Sequence, residues 1–198
     1  SAGHQFIQHM ARSKGMAAHP RLILMRHAKA EAPGFGQADI DRGLTERGLA
    51  DAPRMGQWLT AKGFKPDAAL VSSARRTQLT WQGVCRGGGF ASLKQDEPLI
   101  YEASVHTLLG LVQGQTVPCV MLVGHNPACS DFLRYVVEEG SLQDGYSKLM
   151  PTAAVYVIDF AVPWSDIGAG TGRIVAHARP KALPEEFAGP HSERSEDD

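Results

Sequence analysis

The most constraining stretch of this chain is residues 21–30, RLILMRHAKA. Leu22, Ile23, Leu24 and Met25 have the length and bulk of a strand buried on both faces, of the kind found in parallel sheets. No turn residue separates that run from Arg26, His27 and Lys29. In open α/β sheets, ligands bind outside the carboxyl ends of the strands. An Arg beside a His at that place marks a site for an anion, and a neutral imidazole carries a lone pair that can act as a nucleophile. Taken alone, the decapeptide is explained equally well as a solvated strand end with chance charges.

Two further apolar runs repeat the pattern. Ala68, Ala69, Leu70 and Val71 lead into Ser72, Ser73, Arg75 and Arg76, and the run VPCVMLV at 117–123 leads into Gly124, His125, Asn126 and Pro127. If the sheet is parallel, all three ends lie along one edge. Two arginines and two histidines then converge there, with no Asp or Glu immediately beside them. Guanidinium forks are always charged and match phosphate oxygens. Four such residues at the same relative place outweigh the chance reading.

Helices fill the gaps between strands. Residues 31–43 are rich in Gly, Pro and Asp and read as a loop lying over the site. Thr45 caps a helix that starts beside Glu46, carries Leu49, Ala52, Trp58 and Leu59 on one stripe, and closes at Gly63. Pro53 inside it should bend the helix or mark a restart. A second helix is expected over 74–85, ended by Gly87, Gly88 and Gly89. A brief strand is expected over 94–99, and a third helix, capped by Ser104, over 104–112. Pro127 opens a fourth helix running to about residue 138. Strands at 153–160 and 172–178 follow with no helix between them. The expected fold is α/β, one domain, with a mostly parallel central sheet flanked by helices on both faces and an antiparallel pairing near the end.

The totals fit one globular unit: 198 residues, 43% hydrophobic, with a formal net charge of −1. That charge gives no support for nucleic-acid binding or for adhesion to an anionic membrane. Cys85, Cys119 and Cys129 are an odd set without metal-ligand spacing, as expected of free thiols in a reducing, cytoplasmic setting. Residues 1–20 read as a leader of small and polar residues, expected to be disordered and partly foreign to the natural chain, with Met16 a plausible start. The domain is placed at 21–183, and the charged segment 184–198 is expected to be a mobile tail. His106 reads as a surface residue, His177 as an edge or core imidazole, and Trp58, Trp81 and Trp164 as packing. Lys29 is either a phosphate-binding residue or a solvated lysine.

Five motifs in order then carry a resemblance: RHAKA, LTERG (44–48), SSARRTQLT (72–80), YEAS (101–104) and VGHNP (123–127). Together with KLMPTAAVYV (148–157) they resemble the histidine phosphatase superfamily, and within it the small SixA-type phosphohistidine phosphatases. The resemblance implies a phosphoglycerate mutase-like fold and a metal-independent phosphatase without cofactor. It implies that His27 takes the phosphoryl group, that Arg26 and Arg76 clamp the phosphate, that His125 donates to its oxygens, that Ser72 belongs to the binding motif, and that Glu102 is the candidate proton donor. The implied substrate is a phosphohistidine-bearing protein or, as the alternatives, a small phosphorylated molecule hydrolysed by the enzyme or rearranged by a mutase-like transfer. The short span between Thr80 and His125 leaves little chain for a lid, which favours hydrolysis. Two positions depart from the family pattern: Ala28 stands where Gly is usual, and Ser73 where Pro is usual. Neither the oligomeric state nor the physiological substrate is set by the sequence.

Overall fold

The computed structural model describes residues 19–142 and 148–187. Within them a six-stranded sheet is built from β1 (Arg21–Arg26), β2 (Ala68–Val71), β3 (Leu93–Asp96), β4 (Cys119–Gly124), β5 (Val155–Phe160) and β6 (Gly172–Ala178), in the order β3-β2-β4-β1-β5-β6. β3, β2, β4 and β1 pair in parallel, whereas β5 runs antiparallel to both of its neighbours. Four helices accompany the sheet: α1 (Glu46–Ala61), α2 (Arg75–Gly88), α3 (Val105–Gln113) and α4 (Ala128–Val136).

The period-two alternation of strand side chains divides the core in two. Leu22, Leu24, Leu70 and Leu122 pack with Leu108 of α3 and Phe132 of α4 on one face. Ile23, Met25, Val71 and Val123 pack with Met55 and Trp58 of α1 and Trp81 of α2 on the other. Burying each large aliphatic side chain of this kind contributes about 1.5–3 kcal/mol, and β1 supplies four that are fully buried. The expectation of a mostly parallel sheet covered on both faces is met.

Helix boundaries are set by identifiable groups. Thr45 Oγ1 accepts from Gly48 N at 3.1 Å, and Ser104 Oγ accepts from Thr107 N at 3.1 Å. A cap of this type is worth about 1 kcal/mol. α1 runs through Pro53 without a restart. The carbonyl that loses its donor there belongs to Leu49, a residue exposed enough for water to replace the bond. α2 also extends beyond the expected end, through Gly87 to Gly88, and stops at Gly89 in the left-handed conformation (φ 68°). The reason is helix packing: a Cβ on Gly87 would lie 1.9 Å from the Pro53 carbonyl oxygen. That glycine is spent on the close approach of α1 and α2 rather than on ending a helix.

The first residues of the expected tail are among those described. Glu185–Phe187 forms a short 3-10 helix, and Phe187 packs against the core on the α1 face. Arg54, itself paired with the fully buried Asp51 at 2.7 Å, donates to the carbonyl oxygens of Phe187 (2.7 Å) and Pro180 (3.1 Å). The remainder of the expected tail, 188–198, and residues 1–18 of the expected leader lie outside the described residues.

Candidate active site

The register brings the three strand ends level. Arg26 pairs with Gly124 across β1 and β4, and Val71 pairs with Val123 across β2 and β4. The residues that follow each strand therefore emerge side by side. Arg26, His27, Arg76 and His125 line one cleft of about 300 Å³, together with Lys29, Ala30, Arg42, Asn126 and Thr152. The rings of His27 and His125 lie 5.4 Å apart, centre to centre, tilted by 53°.

His27 is held in one tautomer. Its Nδ1 lies 2.7 Å from the carbonyl oxygen of Ala28. A carbonyl can only accept, so Nδ1 carries the hydrogen and the lone pair resides on Nε2. Ala28, at the place where glycine was expected, is fully buried and donates its own N–H to Thr80 Oγ1 at 3.0 Å. Thr80 in turn donates to the Arg76 carbonyl at 2.7 Å, tying the strand end to α2.

Burial pushes the His27 ring down to about 3, against the pull of the Ala28 bond and with help from Arg26, His125 and Arg76. Burial likewise pushes His125 down to about 4, with Arg76 adding to it and Asp39 opposing. Both rings are therefore neutral at pH 7. In an NMR pH titration, neither ring should show its protonation step near 6.5; both should remain neutral until the pH falls to about 4. A step near 6.5 for His27 would contradict this electrostatic picture. Because the folded values lie below the unfolded one, both rings subtract from stability as the pH falls from about 6.5 toward 3.

The arginines are fixed by their terminal nitrogens. Arg26 Nη1 donates to the Met150 carbonyl at 3.2 Å, and the same carbonyl receives Asn126 Nδ2 at 2.8 Å. Arg179, nearly fully buried, holds that wall from behind through the carbonyls of Lys148 and Leu149, at 3.0 and 3.1 Å. Arg76 donates from Nη1 to the Asp39 carbonyl oxygen at 2.9 Å and from Nη2 to its Oδ2 at 3.1 Å. What remains is informative: among the described residues, the buried side-chain nitrogens or oxygens without a partner are Arg26 Nε, Arg76 Nε and His125 Nδ1. All three belong to residues lining this cleft.

The remaining expected site residues fall elsewhere. Ser72 is fully buried and not part of the cleft lining; its Oγ lies 2.7 Å from His125 Nε2 and accepts from Ala74 N at 3.4 Å. It supports the second histidine from below. Glu102 stands exposed in the turn before α3, outside the cleft lining. The carboxylate that does meet the site is Asp39, from a segment read only as loop. It binds Arg76, Arg42 (Nε to Oδ1, 2.9 Å) and the hydroxyl of Tyr101. Those bonds, led by the Tyr101 hydroxyl, hold its carboxyl at about 2. Thr152 and Arg42 also line the cleft without having been singled out. Arg42 stands just before the LTERG motif and Thr152 lies inside KLMPTAAVYV, whereas Asp39 has no local signal. Lys29 is placed in the lining, with its carbonyl bonded to Thr45 N at 2.9 Å.

Comparison with known proteins agrees with this geometry. Residues 22–112 match the model of the histidine phosphatase superfamily, branch 1. An uncharacterized protein of Mycobacterium tuberculosis is 31% identical over 163 residues, which cover 79% of this chain and all of the relative. A crystal structure from Agrobacterium tumefaciens, assigned provisionally as the phosphohistidine phosphatase SixA, superposes with a TM-score of 0.72 at 31% identity. The match covers 81% of this chain and 98% of that one. A 2,3-bisphosphoglycerate-dependent phosphoglycerate mutase of Mesorhizobium japonicum is similar over a shorter stretch, 39% identical over 77 residues and 36% of its length. With a relative aligned along its whole length and the cationic, two-histidine cleft at the aligned strand ends, the chain belongs to the histidine phosphatase superfamily.

Proposed function

We propose that this phosphatase works without a metal, through a phosphorylated His27, and that its substrate is phosphohistidine on a protein. The observation that supports it most is that two arginines and two neutral histidines line one cleft, with Arg26 Nε, Arg76 Nε and His125 Nδ1 buried without protein partners. Guanidinium Nε–H groups and an imidazole N–H are suited to bind the oxygens of one phosphoryl group. Ser72 Oγ and His125 Nε2 share one hydrogen bond; in the tautomer in which Ser72 donates, neutral His125 carries its hydrogen on Nδ1, the atom left without a partner.

The chemistry follows. The His27 Nε2 lone pair attacks phosphorus and forms a P–N bond, while the bond to the leaving group breaks and takes its electron pair with that group. Arg26, Arg76 and His125 hold the equatorial oxygens as charge redistributes. Water then attacks phosphorus, the P–Nε2 bond breaks, its electrons return to His27, and phosphate departs. Among the described residues there is no group of three or more His, Cys, Asp and Glu placed to hold a metal ion, the kind of ligand set that a protein-bound Zn²⁺ has. The arginines supply the positive charge in this reading.

Phosphohistidine is favoured over an alcohol ester by the acids the cleft does not offer. Glu102 is outside the lining, and Asp39, held at about 2, has no proton to give at neutral pH. An alkoxide leaving group needs a proton donor, commonly worth about 10²–10⁴-fold. A phosphoimidazole protonated on its other nitrogen leaves as neutral imidazole without one.

The test compares a phosphohistidine-bearing protein with a phosphoserine peptide, both in the presence of a chelator. The phosphohistidine protein should be hydrolysed at least about 100-fold faster, and Glu102→Gln should change neither rate by more than about twofold. Faster ester hydrolysis, lost in Glu102→Gln, would favour a small-molecule phosphomonoesterase. Transfer of the phosphoryl group to a second hydroxyl instead of water would favour the mutase-like reading. Loss of all activity in chelator with recovery on adding a metal would end the metal-independent one.

A further inference from the structure

We infer that Asp39 is a positioning residue that holds the end of the Arg76 guanidinium and thereby leaves its Nε side for the phosphoryl group. The inference rests on the reading of the cleft as a phosphoryl-transfer site. A guanidinium offers five N–H donors in a planar fork. Asp39 takes both terminal nitrogens of Arg76, one through its carbonyl oxygen and one through Oδ2, and leaves Nε buried without a partner. Rotation of Arg76 toward an end-on approach would break both bonds.

The same carboxylate reaches two other groups. Oδ1 accepts from Arg42 Nε at 2.9 Å, and Oδ2 accepts from the Tyr101 hydroxyl. The Tyr101 ring lies edge-on to His125, with centres 5.6 Å apart, and the Arg76 guanidinium sits over that ring at 5.7 Å. One side chain at the cleft rim, with about half its surface in water, thus braces both an arginine and, through Tyr101, the second histidine. The loop that carries it is itself folded back: Gly34 N donates to Gln37 Oε1 at 2.9 Å, Gln37 Nε2 to the Asp41 carbonyl at 3.2 Å, and Arg42 Nη1 to the Glu31 carbonyl at 2.8 Å. This loop is built to place Asp39.

The two effects of Asp39 on an anion oppose each other, which gives the inference a distinctive signature. Its negative charge near Arg76 weakens the resting attraction for any phosphate. Its grip on Arg76 keeps the fork in the orientation that the transition state requires, and errors of about 1 Å in such placement can cost on the order of 100-fold in rate. Removing the charge should therefore tighten ground-state binding and weaken transition-state binding.

The experiment is calorimetric titration of wild type and Asp39→Asn with inorganic phosphate and with vanadate, a five-coordinate mimic of phosphorus under attack. A turnover assay on p-nitrophenyl phosphate accompanies it. In Asp39→Asn, phosphate should bind severalfold more tightly, vanadate about tenfold more weakly, and kcat should fall about 10–100-fold. Asp39→Glu should recover part of the loss. Tyr101→Phe, which keeps the ring but loses the hydroxyl, should show the smaller part of the effect. Unchanged binding of both anions would overturn the inference. So would parallel weakening of both with a lowered Tm, which marks a merely structural residue. Should the wild type fail to hydrolyse any substrate, the phosphatase reading fails, while the phosphate and vanadate titrations still decide the role of Asp39.

Discussion

His27→Ala is expected to lower turnover by about 10⁴-fold or more, the scale seen when a nucleophile is removed from an otherwise intact site. It should also abolish acid-labile labelling of the protein by a radioactive phosphoryl donor. His27 follows the central strand β1, its Nδ1 is committed to the Ala28 carbonyl, and its lone pair is therefore on Nε2. His125 cannot substitute, because its Nε2 is engaged with Ser72. Burial keeps His27 neutral, so the nucleophile is available throughout the neutral range without a base to deprotonate it. The melting temperature of the variant should remain close to that of the wild type, since the side chain makes one short local bond. Acid-labile phosphate on the alanine protein at the wild-type level would show that the phosphoryl group goes elsewhere.

The second large effect is expected at Arg76. Arg76→Ala should cost about 10²–10³-fold in kcat, as for removal of one fixed donor from an oxyanion-binding site. Arg76→Lys should recover only a minor part, because an ammonium cannot hold Asp39 through two terminal nitrogens while presenting a third donor to substrate. This comparison is the informative one. Full recovery by lysine would reduce Arg76 to a point charge and remove the geometric argument made for its fork. The contrast should appear in kcat more than in KM, since charge stabilisation is demanded most when the phosphoryl group is in transit.

The sheet and the four converging residues were legible because the signal is local. An apolar run such as residues 22–25 has one stable use, and cations directly behind it have nowhere to go but the strand end. Thr45 and Ser104 announced their helices for the same reason, since a cap and the amide it serves are three residues apart. What was not legible has a common origin in distance along the chain. Asp39 reaches Arg76 and Tyr101, far along the chain, and nothing in its own neighbourhood marks it. Ser72 sits in the right motif, but whether it touches substrate or His125 depends on how β2 and β4 are aligned. The glycines at 87 and 88 looked like an ending because composition cannot distinguish a turn from two helices in close contact. Glu102 entered through resemblance alone, and the fold leaves it in water.

The buried nitrogens without protein partners, Arg26 Nε and Arg76 Nε above all, bear on folding as well as on catalysis. Buried N–H groups without acceptors are a cost carried by the native state alone, because the unfolded chain gives each of them water. An oxyanion that binds only the folded protein relieves that cost and shifts the folding equilibrium by mass action. At a free concentration 100 times its dissociation constant, the shift is about 2.7 kcal/mol, a large share of the 5–15 kcal/mol by which domains are ordinarily stable. Inorganic phosphate added to the purified protein should then raise its melting temperature in proportion to the logarithm of its concentration.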